Sequence, residues 1–433
     1  MAFDMTYTRG FFVFLFLFML GCSSTYTLNT APPPIPLKNS LLLVNGQRSV
    51  PANIKSVRFW NPAQPNAPIP SIRLNSRDRL LLSFDELSEY TGTFLIQFSH
   101  RNRDWTKSSL PETWFMDGMN QLSLQGGEPS MANSIPYHHY QLSIEQAKLQ
   151  FLVSGYYFIH VLDFSSGIEL FNLPFIITEQ QVDLMVESET LYNSGSFGGA
   201  KERLFYEFGL PEFVDMPVFD LDMHVYQHGF LRTSVPARGK DFSQEKLGRF
   251  YLEESQAFPA FTRFYSLGLQ GLTLRNEEIL AYEEDPELPR ITLKEDFISF
   301  SDIPYQLQSM FGSPNSQRFS RYAKVTFRFN PMGDRPKSSE EVYLVGDFNQ
   351  WTQDRDYKMN WNAELGLFEI PVLLKEGNYR YSYALKQGNE LDISYLSSSL
   401  TKENQSYTGV LLYRDPNLQY DRVLSIKTTF IKP

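Results

Sequence analysis

The 433 residues contain a single cysteine, Cys22. No intramolecular disulfide can form, and no cysteine cluster can hold zinc. Basic runs are missing as well. Against 39 Lys and Arg stand 49 Asp and Glu, which leaves a formal charge of −10. An acidic surface of that kind argues against nucleic acid and against adsorption to anionic membranes. The chain has no phosphate-binding glycine–lysine loop and no dinucleotide glycine fingerprint. It has no serine–histidine–aspartate order, no nucleophile elbow and no metal motif. The sequence therefore predicts a protein without catalysis, cofactor or metal. The apolar run over residues 11–20 has ten residues, too few for a bilayer, which needs about 20.

What is present points to strands. Hydrophobic residues make up 42% and aromatics 15%, with 36 Phe and 24 Tyr, and aromatics favour strands over helices. The chain is too long for one β-sandwich of about 100 residues, so several domains are expected.

The N-terminus reads as a leader. Arg9 precedes the apolar run, which ends in Met19-Leu20-Gly21-Cys22. This resembles a bacterial lipobox, which implies a diacylglycerol on Cys22 after cleavage; acyl chains anchor by about 0.8 kcal/mol per buried methylene. The alternative is an ordinary secretory signal with an incidental cysteine. Asp4 is unusual in a leader and would vanish if translation began at Met5. No acidic cluster follows Cys22, a pattern that fits a periplasm-facing lipoprotein of the outer membrane. Residues 22–39 include Ala31-Pro32-Pro33-Pro34-Ile35-Pro36, a semi-rigid tether of about 3 Å per residue.

From residue 40 to 179 the chain alternates like strands around 54–62, 71–76, 79–87, 93–100, 155–162 and 170–177. Turn signals between them predict an immunoglobulin-like sandwich. Asp104, Trp105 and Trp114 fall in its polar and aromatic loops and are the candidate partner contacts. Residues 180–311 read as a middle β domain. Asp220, Asp222, His224 and His228 are its most tempting cluster, because alternation puts them on one strand face. A metal is not expected there: alternate residues stand about 6.5–7 Å apart, so four in a line do not converge. They read instead as a solvated face. Glu277-Glu278 and Glu283-Glu284-Asp285 read as acidic surface. Residues 312–323 read as a linker.

Residues 324–433 read as a last sandwich built around 342–351, Val-Tyr-Leu-Val-Gly-Asp-Phe-Asn-Gln-Trp. Two later strands answer it, and Tyr379, Tyr381 and Tyr383 share one face. The stretch resembles glycogen-binding and branching-enzyme accessory domains, which have an early-set immunoglobulin-like fold. That resemblance implies sugar stacking on Trp351 and Trp361. The alternative is that Phe348 and Trp351 only cap the sandwich.

Several stretches together resemble the plug protein family of the type IX secretion system. They are Ile72-Arg73-Leu74-Asn75-Ser76, Leu80-Leu81-Leu82-Ser83-Phe84-Asp85-Glu86-Leu87, the strand ending in His100 with Asp104-Trp105 after it, and Ser154-Gly155-Tyr156-Tyr157. Leu373-Leu374-Lys375-Glu376-Gly377-Asn378-Tyr379 and Asp421-Arg422 continue the likeness. The resemblance implies a component that docks under a large outer-membrane translocon barrel of Bacteroidota and closes its periplasmic mouth. The expectation is thus an all-β protein of tandem immunoglobulin-like and early-set sandwiches behind a lipoprotein signal (1–21), held by acyl chains to the membrane. Its partner would be the barrel. The other reading is a carbohydrate-binding envelope lipoprotein.

Overall fold

The computed structural model describes residues 43–132, 135–145, 149–192, 200–260, 264–269, 278–297, 318–331, 336, 339–352, 355–388, 390–393, 404–416 and 419–431. The readings on the leader, Cys22 and the tether lie outside the described residues, as do Glu277 and residues 312–317. Among those described, two four-residue α-helices, Glu112–Phe115 and Pro217–Asp220, and four three-residue 3-10 turns interrupt an all-β chain.

Alternation builds the first sandwich. In strand Phe94–Arg101, Phe94, Ile96 and Phe98 are buried while Leu95, Gln97 and Ser99 are half-buried, the period of two that a sheet imposes. Its sheet runs in the order Ser71–Arg73, Glu169–Thr178, Gly155–Asp163, Phe94–Arg101, Leu122–Leu124. Ser71–Arg73 lies parallel to its neighbour, and the other pairs are antiparallel. The facing sheet is Ile54–Trp60, Arg79–Glu86, His138–Glu145, Glu128–Pro129. Leu80, Leu82 and Phe84 meet Phe98, Tyr157 and Phe175 in one core.

A second body pairs Met185–Tyr192, Ala200–Gly209, Leu247–Tyr251 and Gly239–Asp241 in one sheet. Its facing sheet is Val235–Pro236, Leu221–Gln227, Gln405–Arg414, Asp421–Ile431. A third body places Tyr265–Gly268 beside Asn378–Gln387 and Val342–Gly346. Against them lie Ile279–Glu283, Arg290–Phe297, Tyr322–Asn330, Leu367–Lys375 and Asn360–Asn362.

These pairings cross the expected boundaries. Strand Leu221–Gln227 belongs to the stretch read as a middle domain, yet it pairs with Gln405–Arg414. Strand Tyr265–Gly268 pairs with Asn378–Gln387, and Arg290–Phe297 lies parallel to Tyr322–Asn330. The second and third bodies are therefore interleaved along the chain. Tyr379, Tyr381 and Tyr383 do share one face and enter the third core. The sheet beneath them is buried on its other face too, where Tyr343, Val345 and Ala384 pack with Phe264.

Candidate functional site

The stretch 342–351 forms a strand and a tight turn at the meeting of all three bodies. Strand Val342–Gly346 is buried throughout. At Gly346 a Cβ would stand 2.7 Å from the Arg380 carbonyl oxygen and 2.8 Å from the Phe348 ring, so the close approach needs glycine. Asn349 fastens the turn: its Oδ1 accepts from Gly346 N (2.9 Å) and its Nδ2 donates to the Leu344 carbonyl (3.0 Å). Asp347 accepts from Trp351 Nε1 at 2.9 Å, from Arg380 N at 2.8 Å and from the Arg380 guanidinium at 3.1 and 3.3 Å. Gln350 and Trp351 both take left-handed backbone, with φ of 57° and 56°. Such strain in non-glycine residues persists only where the surroundings enforce it.

Those surroundings come from all three bodies. Gln350 Nε2 donates to the Val57 carbonyl of the first sandwich (3.1 Å). The Trp351 ring packs against Phe230 and Phe264, with centroids 5.4 and 5.0 Å away. A cleft of about 280 Å³ opens beside the turn, lined among others by Arg58, Trp60, Phe230, Trp351 and Arg380. Arg58 lies 4.4 Å over the Trp60 ring. Burial brings its pKa down to about 10, although Asp347 and Tyr379 pull the other way. The cleft thus offers cations and aromatic faces. Both oxygens of Asp347 are engaged within the turn, and His228, which also lines the cleft, bonds Gln405 Oε1.

Trp361 does not join Trp351. It sits on strand Asn360–Asn362 in the opposite sheet, edge-on to Phe368 at 4.9 Å. The two rings form no common stacking platform. Asp104 is exposed and caps its own turn, accepting from Thr106 N at 3.0 Å and Thr106 Oγ1 at 2.5 Å. Trp114 is 52% exposed. Trp105 is only 3% exposed and stacks on Tyr156 and Phe158 at 4.6 and 5.5 Å. It faces the second body, together with Tyr226, Val410 and Leu412, and is not an outward contact.

The aspartate–histidine strand also departs from expectation. Asp220 ends a short helix. Asp222 pairs with Arg103 of the first sandwich and with Lys240 (3.0 Å). His224 is buried, and burial lowers its pKa to about 4 despite the pull of Asp222. His228 Nε2 bonds Gln405 Oε1 at 2.9 Å. The two histidines are thus buried rather than solvated, while Asp220 and Asp222 stay half-buried, Asp222 under Arg103 of the first sandwich. No group of three or more His, Cys, Asp or Glu side chains converges among the described residues.

Sequence reasoning missed a second junction, between the first and third bodies. Asp85 and Lys375 are completely buried and 2.7 Å apart. Asp85 also bonds His139 Nδ1 (2.7 Å) and accepts from Tyr322 Oη (2.8 Å). Tyr322 Oη lies 2.8 Å from Ser56 Oγ, and the Lys375 ammonium sits 4.3 Å over the Tyr137 ring. Burial alone would raise the Asp85 pKa. Lys375 and His139 outweigh it and hold the carboxyl below its ordinary value of 3.8. The available signal was a carboxylate inside an apolar strand, Leu80-Leu81-Leu82-Ser83-Phe84-Asp85.

Residues 54–179 match the family described as type 9 secretion system plug protein 1st domain. No curated protein matches the chain. Among solved structures, a hypothetical protein from Parabacteroides merdae ATCC 43184 is similar with a TM-score of 0.76. It is 20% identical, and the match covers 89% of this chain and 99% of that one; at that identity the likeness shows the fold alone. A serine-rich repeat protein (Srr2) from Streptococcus agalactiae aligns at 8% identity over 88% of this chain and 93% of its own, but a TM-score of 0.13 bears on nothing.

Proposed function

We propose, from the match of residues 54–179 to the type 9 secretion system plug protein 1st domain, that the chain docks on an outer-membrane translocon barrel and closes its periplasmic mouth. The family match carries this reading. It ties the chain to type IX secretion and to the cell envelope, and it speaks for a part without catalysis. The architecture supports the finer step. A stopper must keep its shape under load, and here two buried junctions lock the first sandwich to the other two bodies. Exposed apolar side chains are available for contact: Met216 (58%), Val218 (51%) and Phe219 (77%) stand together after the Ala200–Gly209 strand. Such a patch on a soluble surface marks an interaction site. Acylation at Cys22 would keep the protein on the membrane that holds its barrel.

Purification of the tagged, detergent-extracted protein from its native host tests the reading. A very large outer-membrane barrel should co-purify in near-stoichiometric amount, and Phe219→Asp should reduce its yield. Recovery of the protein alone, or with sugar-uptake components, would reject docking.

A further inference from the structure

The strand Asp421–Ile431 has one edge paired with Gln405–Arg414. Its other edge is half covered. Glu179 N donates to the Val423 carbonyl (2.9 Å) and Gln181 N to the Leu424 carbonyl (2.8 Å). An extended segment of the first sandwich thus already lies along the start of this edge. Beyond Ser425 it stops.

Which groups point outward there follows from the ladder. In an antiparallel pair a residue turns both its N–H and its C=O to the same side. The Ser406 carbonyl is taken by His228 N at 2.8 Å, so Ser406, Thr408 and Val410 face the Leu221–Gln227 side. The alternate residues bond the last strand. Their opposites on that strand face back, and the partners of Ser406, Thr408 and Val410 are Phe430, Thr428 and Ile426. These three turn their backbone N–H and C=O away from the sheet. Among the described residues no backbone group from another segment meets them. The carbonyls of Val423 and Leu424 both face this edge because Leu424 is the bulged residue; the alternation holds from there to Phe430.

Natural edges are blunted by proline, by bulges or by charged side chains, lysine above all. Here the bulge of the pair adds Leu424 to the edge strand itself, within the covered part, because Leu411 pairs with Ser425 while Leu412 pairs with Val423; beyond it, Lys427 is the one charged residue of 425–431. Residues 425–431 contain no proline. A groove of about 540 Å³ runs beside them, walled by Ile72, Arg73, Thr178 and Gln180 and reached by the 44% exposed Phe430. A row of donors and acceptors repeating every second residue matches one ligand chemistry, another extended polypeptide backbone.

We propose that the outer edge of 426–430 accepts an extended segment of a partner polypeptide as an added β-strand. An apolar side chain of the segment rests on Phe430, and an acidic one reaches Lys427. This site is separate from the apolar patch around Phe219 and does not depend on the docking reading.

The test uses the full-length protein and an acetylated, amidated heptapeptide of alternating valine and threonine with one glutamate. Amide exchange is followed residue by residue. The peptide should slow exchange at Ile426, Thr428 and Phe430 about tenfold or more, and leave Lys427 and Thr429 unchanged. The same peptide N-methylated at every second residue should do nothing, and Thr428→Pro should abolish the slowing. Equal effects of both peptides would overturn the proposal, as would no slowing at millimolar peptide. Slowing that follows protein concentration without peptide would assign the edge to a second copy instead.

Discussion

The first sandwich is held to its two neighbours in opposite ways. Toward the second body it offers stacked rings and a charged rim. Trp105, Tyr156 and Phe158 stack, Tyr156 Oη bonds Tyr226 Oη at 2.7 Å, and Arg422 grips Glu179 at 2.8 and 2.7 Å. Toward the third body it offers a buried ion pair, Asp85 with Lys375, wrapped by His139, Tyr322 and Tyr137. The first junction gains its stability from apolar burial. The second gains little net stability from its charges, because desolvation offsets their attraction. What it does supply is a penalty for any other arrangement, since a separated or shifted partner strands a charge. One junction holds and the other aligns.

Breaking the aligning junction has the largest expected effect. Asp85→Asn leaves the Lys375 ammonium buried without a counter-charge and should lower stability by about 4 kcal/mol, read by denaturant unfolding. Replacing both at once, Asp85→Leu with Lys375→Met, should recover most of that loss. A double variant as unstable as the single one would show that the pair itself stabilises. Lowering the pH acts in the same direction. Asp85 is held below its ordinary 3.8, so its contribution is complete above 3.8 and fades as pH falls through its folded value.

In the holding junction, Trp105→Ala should cost about 3 kcal/mol through lost burial and a cavity. Here no second substitution rescues it, which sharpens the contrast. The third test is pH in the mild acid range. Burial lowers His100 and His224 to about 4 and His228 to about 3, against an ordinary 6.5. The unfolded chain binds protons there that the folded chain refuses. Stability should therefore fall steadily from pH 6.5 toward 4 and be flat from 6.5 to 8, as melting temperatures would report. A flat profile between 4 and 6.5 would contradict the buried neutral rings. The smallest effect belongs to Tyr156→Phe, about 1 kcal/mol for the stranded Tyr226 hydroxyl.

The sequence disclosed one scale of this structure and hid the next. Strand Phe94–Arg101 was legible because Phe94, Ile96 and Phe98 alternate with more polar neighbours. Trp105 was not, because its local context is polar and its burial comes from residues such as Val410 and Val423, some 300 positions away. Asp222 and His224 read as solvated for the same reason: the Arg103 that covers them belongs to another body. A period of two says which face is apolar, but not which body will cover the other. The interleaving of the second and third bodies escaped likewise, since nothing in Leu221–Gln227 names its partner Gln405–Arg414. In the 342–351 turn, the glycine and the aromatic pair were visible. The use of Asp347 to clamp Arg380 and Trp351 was not.

The claim that this chain closes a barrel is tested most directly by leakage. In the native host, deletion of the gene should let a large hydrophilic fluorophore cross the outer membrane, and the wild-type chain should restore the barrier. Asp85→Asn, with its aligning junction broken, should restore it only in part. An outer membrane that stays tight after deletion, with the barrel present at its normal level, would contradict the account.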